Sequence, residues 1–479
     1  MALLCVVLAC GDSATPPTSA PARPVRFDHD ATHSTHAFRG LGINLHPLEP
    51  RHLPALPELN LRYARVGAGP GWGGMRDPRF PDDPAAMRAF IAAHFDRDDP
   101  ERLSDFRASF AFFREHDIRV VLVLYQIPFA WLKDDFMRTL KTKNVARVVA
   151  QWTALLEFFE QENMHVDFVE LANEPDGNWD GHIPVRRYYQ LVRQARKAFD
   201  RAGFEHVGLL GPGLSSLDLE ARATRWIRGM PPETARALAG FSLHGWDEIH
   251  ATDSMPDFLA RSWKRPRAAF RALAPDKPIF LTEYATEITR FGGRQFASPR
   301  SPAFHTAAET PRYGLRVLAN TLVHLNSGVS VPMLWRLADN DSDQTAWGMI
   351  RGPRRGGGRR PIYAAVRFLA TRLPRDSRVI PGHAASTYGA QTAPLTATLL
   401  TQDKEAIWTA VNLDDRPRPV RVKLTGGPAY DLTGTSGEVQ ELSGDIAPVL
   451  SIVKISDDEF ALTLPPESTV VLHMDRASP

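Results

Sequence analysis

From residue 38 onward, short apolar runs of strand character alternate with longer stretches of helical periodicity. In two of the longer stretches, apolar residues recur every three or four positions, which is the spacing of one helix face. One stripe follows Asn144, a favoured N-cap residue, and the other ends before Gly203, a favoured C-cap residue. The stripes are Val145, Val148, Trp152, Leu155 and Phe159, then Val185, Tyr188, Val192, Ala195 and Phe199. We expect the aromatic residues in these stripes to pack in the core.

Eight apolar runs separate the helical stretches, and each has the length of a buried strand. They are residues 38–44, 63–67, 119–125, 166–174, 206–211, 241–244, 278–283 and 329–335. Strands that alternate with helices in this way predict a parallel sheet closed into an α/β, (β/α)8 TIM barrel.

After residue 373 the hydrophobic period shortens to two. Alternating runs at residues 396–401, 406–413, 420–424, 449–455, 460–464 and 469–474, with turns between them, predict a C-terminal antiparallel β-sandwich domain. Trp408 lies in a plain alternating run, so we expect it in the core of this domain. Residues 25–27, which precede the barrel, could add an edge strand to it. The predicted division is an N-terminal segment (1–24), the barrel (25–378) and the sandwich (379–479).

Composition is that of an ordinary globular protein. The chain has 479 residues, 43% of them hydrophobic and 23% charged, and a net charge of +2. Such a balance gives no indication of a nucleic-acid or anionic-membrane partner. Both cysteines, Cys5 and Cys10, fall in the first ten residues, so the folded part is expected to lack disulfides and thiolate metal sites.

The first ten residues form a short apolar run that ends at Cys10. Residues 7–10 resemble a bacterial lipobox, in which the cysteine is lipidated after signal cleavage. The run lacks the basic residues that open a signal peptide, so we interpret it as a lipoprotein signal with an incomplete start. An unstructured apolar terminus is the alternative. Residues 14–24, rich in Pro, Ala, Thr and Ser, are typical of a tether, and the predicted location is extracytoplasmic: the bacterial surface, the periplasm or the medium.

Two glutamates close two of the predicted barrel strands. Glu174 follows the fourth run within Asn173-Glu174-Pro175, and Glu283 ends the seventh within Thr282-Glu283-Tyr284. Their separation of about 110 residues fits three strand-helix units of a barrel of about 250 residues or more. Chemistry in such barrels lies at the carboxyl ends of the strands, and glycoside hydrolysis requires a pair of carboxyl groups there. A solvated loop glutamate is the alternative interpretation of Glu174 taken alone.

These two motifs, in this order and at this spacing, resemble clan A of the retaining glycoside hydrolases. The resemblance covers residues 38–373 and leaves the family within the clan open. It implies that Glu174 is the acid/base and Glu283 the nucleophile, and that Asn173 donates to the substrate 2-hydroxyl. An Asx turn is the alternative for Asn173.

The resemblance implies further site residues at other strand ends. Arg65 would lie near the nucleophile and hold it ionised, unless it forms a surface ion pair. His244 would match a clan histidine, with simple burial as the alternative. Trp246 stands where many members have a tyrosine that hydrogen-bonds the nucleophile, so Tyr284 becomes the substitute for that role.

Aromatic residues are expected to contact the sugar. Trp335 would form the floor of the −1 sugar site, because an indole stacks on the apolar face of a pyranose, or would pack at the barrel rim. Trp72 and Trp179, on loops at the mouth, could extend a cleft. Five arginines between 351 and 360 are expected to be solvated, with contact to an anionic sugar as the alternative.

The sequence therefore predicts a retaining glycoside hydrolase that cleaves β-glycosidic bonds of a polysaccharide or oligosaccharide. We expect a monomer that needs no cofactor or metal. A catalytically inactive carbohydrate-binding protein on the same barrel is the alternative. Loss of a catalytic glutamate would indicate such a protein, and both glutamates are present here. A barrel enzyme of other chemistry lacks support, because no phosphate-binding glycine motif or metal cluster is evident.

Overall fold

The computed structural model describes residues 24–28, 36–46, 48–67, 80–125, 127–178, 180–215, 220–246, 255–286, 290–291, 294–295, 300–340, 345–382, 395–440, 445–448 and 452–477. The lipobox ending at Cys10, Trp72 and Trp179 lie outside these residues, and so does the side chain of Trp246. Predictions made for them stay predictions.

Eight parallel strands close into a barrel in the order β12-β3-β4-β5-β6-β7-β8-β9, which confirms the predicted fold class. The strands are β3 (Gly42–Leu45), β4 (Tyr63–Gly67), β5 (Arg119–Val123), β6 (Phe168–Glu170), β7 (Gly208–Leu214), β8 (Gly240–Trp246), β9 (Ile279–Ala285) and β12 (Val331–Leu334). Each falls in or beside one of the eight apolar runs. The largest difference is at β6, which ends at Glu170 and not at Glu174.

Helices pack around the barrel between its strands. They are α1 (Ala55–Glu58), α2 (Pro84–Ala93), α3 (Pro100–Glu115), α4 (Val145–Gln161), α5 (Val185–Arg201), α6 (Glu220–Arg228), α7 (Pro232–Ala237), α8 (Met255–Leu273), α9 (Pro302–Ala308), α10 (Pro311–Asn326) and α11 (Pro361–Ala370). All ten residues of the two predicted stripes lie on α4 and α5, and all but Val185 are buried. Gly203 adopts a left-handed φ of 84° two residues beyond α5, as a C-terminal glycine should.

Asn144 precedes α4 as predicted, but its side chain does not cap the helix. The amide instead donates to the Trp131 carbonyl at 2.8 Å and accepts from Arg147 at 3.1 Å. No helix among the described residues is both long enough and apolar enough to cross a bilayer.

The C-terminal residues form two sheets, each completed by one strand from the N-terminal side of the barrel, which confirms the predicted sandwich. The larger has the order β18-β17-β21-β15-β14-β13-β2, and the smaller has the order β1-β16-β20-β19. The strands are β1 (Val25–Asp28), β2 (His36–Phe38), β13 (Ser377–Pro381), β14 (Leu395–Thr401), β15 (Glu405–Asn412), β16 (Arg418–Thr425), β17 (Tyr430–Gln440), β18 (Ile446–Pro448), β19 (Ile452–Ser456), β20 (Glu459–Leu464) and β21 (Ser468–Arg476). A short hairpin, β10 (Arg290–Phe291) and β11 (Arg294–Gln295), lies apart from both. The N-terminal strand β1 pairs with β16 at the edge of the smaller sheet.

The main apolar cluster extends from the barrel into the larger sandwich sheet, and the space between the two sandwich sheets has a cluster of its own. Trp408 is fully buried between the sandwich sheets and meets Phe460 edge-on at 6.0 Å. Within the barrel lumen, seven side chains form a closed layer: Tyr63, Val121, Phe168, Leu210, Phe280, Val331 and Met333. Because Tyr63, Phe168 and Phe280 pack against one another, this layer excludes water below the barrel mouth.

Candidate active site

The polar residues of the lumen lie directly above its apolar layer. Side chains two positions apart on a strand point to the same face. Arg65 therefore follows Tyr63 into the lumen, Glu170 follows Phe168, and Thr282 follows Phe280. With parallel strands, this step of two residues leads toward the carboxyl ends, and a polar layer forms at the mouth.

Arg65 is the centre of this polar layer. Its side chain is fully buried, so the surface ion pair considered for it is excluded. Nε and Nη2 donate to Oε2 of Glu170 at 2.9 and 2.6 Å, and Nη1 donates to Glu283. Nη1 also donates to Asn44 at 3.0 Å and to the Tyr125 hydroxyl at 3.1 Å. Arg65 thereby joins five strands or strand ends through one guanidinium.

Glu170 is a buried carboxylate that the sequence analysis missed. Its Oε1 accepts from the Thr282 hydroxyl at 2.9 Å, so both of its oxygens are hydrogen-bonded. Burial alone would raise the pKa of Glu170, but the charge of Arg65, the nearby His244 and the hydrogen bonds from Ser242 and Arg65 together hold that pKa below its ordinary value. Glu170 is therefore an anion and acts as the buried counter-ion of Arg65.

A β-bulge in β9 points Glu283 into the same space. Along β8, Leu243 pairs with Leu281 and His244 pairs with Glu283, so two steps on β9 match one on β8. The pairing with β12 shifts at the same place. Such a bulge re-aims the side chains that follow it. Thr282 and Glu283 consequently both reach the mouth, although regular alternation would separate them.

Burial raises the pKa of Glu283 above its ordinary value, and the charge of Glu174 adds to this effect. His244 and Arg65 act in the opposite direction without cancelling it. Arg65 thus favours ionisation of Glu283, as expected, but desolvation at the barrel mouth is the larger effect. Glu283 becomes an anion at a higher pH than an exposed glutamate does.

Glu174 lies four residues past the end of β6, on a turn with a left-handed φ of 44°. Its backbone N–H donates to the Gly213 carbonyl at 3.1 Å. Gly213 itself has a φ of 61°, and a Cβ there would approach Glu170 Oε1 within 2.7 Å. Only glycine fits between the buried carboxylate and the turn. Asp176 fixes the same turn by accepting from the backbone and hydroxyl of Ser215, both at 3.0 Å.

His244 connects the two glutamates. Its Nδ1 is 2.7 Å from Glu174 Oε1 and 3.6 Å from Glu283 Oε2. Burial lowers the pKa of His244, so the ring is neutral at neutral pH and carries a single N–H. Nε2 is buried and meets no hydrogen-bonding group of the described residues. Leaving a lone pair there costs less than leaving an N–H there, so the proton belongs on Nδ1, which donates to Glu174.

Asn173 lies in the same layer, with both ends of its amide bonded. Oδ1 accepts from Arg65 Nη2 at 2.8 Å, and Nδ2 donates to Asp180 Oδ2 at 2.8 Å. Neither bond is the local Asx turn considered as the alternative. Burial raises the pKa of Asp180 to about 7, and the charges of Glu174 and Glu283 contribute to that rise. No signal in the sequence pointed to Asp180.

The structure also places Trp335 and Tyr284, two aromatic residues predicted to lie at the site. Trp335 immediately follows β12 at the mouth and stacks on His46 with ring centroids 5.8 Å apart. Tyr284 turns away from the lumen, and its hydroxyl bonds Thr321 on α10 at 2.8 Å. The prediction that Tyr284 substitutes as the hydrogen-bond partner of Glu283 is therefore wrong, because the bulge places Tyr284 on the outer face.

The arginine-rich loop after β12 is occupied by ion pairs. Arg351 pairs with Glu309, Arg359 with Glu58 at 2.8 Å, and Arg360 with Asp339 at 2.7 Å. Since these guanidinium groups are neutralised by the protein itself, contact of this loop with an anionic sugar gains no support.

Glu174, His244 and Glu283 each present one ligand-type atom within 4.8 Å of the others. In a metal protein such a trio could bind a divalent cation. Here Arg65 already donates to Glu283, and a guanidinium beside the carboxylate opposes a second positive charge. The geometry instead suits two carboxyl groups that act on a neutral or weakly charged substrate between them.

Solved structures similar to this chain include several carbohydrate-active enzymes. A family 30, subfamily 8 xylanase from Clostridium acetobutylicum matches with a TM-score of 0.63 and 13% identity, over 94% of this chain and 99% of that one. An endo-β-1,6-glucanase matches with a TM-score of 0.62 and 12% identity, over 94% of both chains. A family 51 α-L-arabinofuranosidase from Bifidobacterium longum matches with a TM-score of 0.55 and 14% identity, over 94% of this chain and 100% of that one. No protein-family model matches the chain, and no curated protein matches it in sequence.

At these identities the likeness concerns the fold. Over nearly the whole of each chain, these proteins share the arrangement of a barrel and a β-sandwich with this one. The fold implied by the two glutamate motifs is therefore confirmed, with the family open.

Proposed function

We propose that this protein is a retaining glycoside hydrolase that cleaves β-glycosidic bonds of a polysaccharide or oligosaccharide. One observation carries the proposal: a carboxylate oxygen of Glu174 and one of Glu283 lie within 4.8 Å of each other at the barrel mouth. Retaining enzymes hold their carboxyl groups about 5–5.5 Å apart, whereas inverting enzymes need about 6.5–9.5 Å to admit a water molecule. A closest approach of the two oxygens within 4.8 Å agrees with the shorter of these arrangements, which supports retention.

The surroundings of the two glutamates support different roles for them. Glu283 is bonded to Arg65 and keeps only 5% of its side-chain surface exposed, so it is fixed and suited to be the nucleophile. Glu174 is bonded through Oε1 to a neutral histidine and is more open, at 12%. Glu174 is therefore the carboxyl group suited to deliver a proton to the leaving oxygen.

The reaction follows from these roles. Glu283 attacks the anomeric carbon while the bond to the leaving oxygen breaks and Glu174 protonates that oxygen. Glu174, now an anion, takes a proton from water, and the water oxygen displaces Glu283 from the anomeric carbon. Both carboxyl groups return to their starting states, and the configuration is retained after two inversions. The bond from His244 to Oε1 can persist throughout, since a carboxyl oxygen accepts in either protonation state.

The substrate class rests on the solved structures with the same fold. Those described above include enzymes named for xylan and for β-1,6-glucan. A β-linked glycan is therefore the proposed substrate. An inactive carbohydrate-binding protein stays the second candidate, and an intact pair of glutamates with an ordered acid/base turn speaks against it.

Product analysis tests the proposal. The wild type is incubated with 4-nitrophenyl β-xyloside, β-glucoside and α-L-arabinofuranoside, and with xylan and β-1,6-glucan. We expect cleavage of at least one β-linked substrate, with the β-anomer of the product seen first by proton NMR. First appearance of the α-anomer would contradict retention, and binding without cleavage of any substrate would favour the binding protein.

We further propose an extracytoplasmic location with a lipid anchor at Cys10, and a monomeric state. The support for these is the lipobox-like sequence and the ordinary surface composition alone. Globomycin treatment of expressing cells, followed by electrophoresis, tests the anchor: an unprocessed, larger form should accumulate. An unchanged mobility would contradict it.

A further inference from the structure

The amide of Asn173 is held at both ends by groups of opposite character. Arg65 has only donors, so it must face the amide oxygen, and it does so at 2.8 Å. The Asp180 carboxylate has only acceptors, so it must face the nitrogen, also at 2.8 Å. An amide that met only Arg65 could rotate about that single bond. With both partners, its orientation is fixed.

The backbone around Asp180 is itself anchored to the neighbouring loop. The Asp180 carbonyl accepts from Ile127 N–H at 3.3 Å, and the His182 carbonyl accepts from Leu140 N–H at 2.8 Å. Residues 127–140 follow β5, so this loop belongs to the same mouth of the barrel. Asp180 thus occupies a defined position between two loops and is not a carboxylate at the end of a free segment.

We propose that Asp180 is a positioning residue that orients Asn173 so that its second Nδ2 hydrogen points to the substrate hydroxyl next to the anomeric carbon. This inference rests on the proposed function. A side-chain amide nitrogen has two hydrogens. One is used by Asp180, which leaves the other for the sugar, where a hydrogen bond to the 2-hydroxyl strengthens in the transition state.

The pKa of Asp180 depends on the charged groups around it. Glu174, Glu283 and Arg65 are the charged groups that act on it, and burial raises its pKa to about 7. In its ionised form the carboxylate accepts more strongly than in its protonated form. An acceptor in this place would therefore hold Asn173 best when ionised.

The test compares preference for the 2-hydroxyl between variants. The substrates are 4-nitrophenyl β-xyloside or β-glucoside, whichever the wild type cleaves faster, and its 2-deoxy analogue. The preference is the ratio of the two kcat/KM values. In Asp180→Ala we expect this ratio to fall about tenfold or more, which corresponds to one lost hydrogen bond of about 1.4 kcal/mol. Asp180→Asn keeps an acceptor oxygen of the same reach and should stay within about threefold of the wild type.

Asp176→Ala is the matched control. Asp176 is a buried carboxylate of the same loop, bonded to Ser215 and not to Asn173. Its loss should slow both substrates by similar factors and leave the ratio unchanged. If Asp180→Ala does not melt cooperatively, Asp180→Val, which has similar size and no acceptor, replaces it.

The outcomes separate this inference from the proposed function. A wild type that cleaves no glycoside overturns both. A wild type that prefers the 2-hydroxy substrate, with Asp180→Ala retaining the full preference, overturns only the role of Asp180. If the kcat/KM ratio falls equally in Asp180→Ala and Asp176→Ala, the role of Asp180 is also overturned, since the effect would then be general loop damage. A ratio that falls in Asp180→Ala alone and is restored in Asp180→Asn supports the role.

Discussion

Replacement of Arg65 with methionine should destabilise the barrel and impair catalysis at once, with a distinctive pH dependence. Methionine has a similar length and no charge. The substitution removes the donor that bonds Glu170 and Glu283, and leaves two carboxyl groups in the lumen without their cation. Removing one partner of a buried ion pair typically costs about 3–5 kcal/mol, because the other charge stays buried without compensation.

The magnitude should lie in this range at neutral pH. Arg65 and Glu170 are both fully buried, so solvent screening does not reduce the interaction. Glu170 has a second hydrogen bond, from Thr282, which softens the loss but does not supply charge. We therefore expect the free energy of unfolding of the barrel to fall by about 3–5 kcal/mol in Arg65→Met at pH 7.

The sign of the pH dependence follows from Glu170. In the wild type the folded pKa of Glu170 is lowered below 4.5. Ionised Glu170 therefore stabilises the folded protein at pH values above the unfolded pKa, and this stabilisation is lost as pH falls through the folded pKa. In Arg65→Met the cation is absent, and burial is expected to raise that pKa instead. The difference between wild type and variant should hence be largest at neutral pH and shrink as pH falls through the region around 4.5.

Urea denaturation at a series of pH values from 4 to 8 measures this difference. Glu170→Gln and the double variant complete a thermodynamic cycle, in which the double variant should be less destabilised than the sum of the single ones. Arg65→Lys is the control for charge alone. Lysine has three donors in place of a planar fork, so it should restore only part of the stability. A loss under about 1 kcal/mol that does not change with pH would refute the assignment of Arg65 as a buried counter-ion.

Four further outcomes follow from the site and the fold. Glu283→Gln should abolish turnover while the melting temperature changes little, and full activity in that variant would contradict the nucleophile assignment. The rising limb of kcat/KM against pH should lie above 4.5, because burial raises the pKa of Glu283, and activity should be lost as pH falls through it; a limb below 4.5 would contradict the burial argument. Glu174→Ala should remove the falling limb and slow poor leaving groups most, with azide restoring activity on activated aryl glycosides, whereas equal losses without rescue would contradict the acid/base role. Trp408→Ala should lower stability by about 3–5 kcal/mol in thermal or urea denaturation and leave kcat of the folded protein unchanged, and a changed kcat would give the sandwich a direct part in catalysis.

The architecture could be predicted from the sequence because hydrophobic periodicity reports directly on burial. All eight barrel strands fall in or beside apolar runs, and both helical stripes lie on helices. Strand ends were harder to predict. The run that contains β6 continues through Leu171 and Ala172, both buried, although the regular pairing stops at Glu170. A residue is apolar because it is buried, whether or not its backbone pairs with a neighbouring strand, so the apolar run is longer than the strand.

The bulge in β9 explains the error at Tyr284. From the sequence, strict alternation beginning at Phe280 would place Thr282 and Tyr284 in the lumen and Glu283 outside. The structure has Thr282 and Glu283 in the lumen and Tyr284 against α10. A bulge depends on the pairing with both neighbouring strands, and these are distant in sequence, so local periodicity carries no record of it.

Glu170 was overlooked for a different reason, although a signal was present. A charged residue inside a strand that is buried on both faces must have a partner, since an unpaired buried charge is too costly to persist. By the period of two, Glu170 shares the lumen with Phe168, and Arg65 shares it with Tyr63. An anion and a cation at the same height of a closed barrel are expected to form an ion pair, so the two residues together indicated this contact.

This pairing also bears on the role that a buried arginine would have at the mouth of the barrel under the proposed function. Glu170 neutralises Arg65 within the lumen, so the charge of Glu283 is added to a pair that is already balanced. Burial then opposes ionisation of Glu283, while the positive charge of Arg65 favours it. If Glu283 is the nucleophile, as proposed, its anion is poorly stabilised by its surroundings, and bond formation to an anomeric carbon would relieve that condition. The buried Glu170 would then help to determine how reactive Glu283 is.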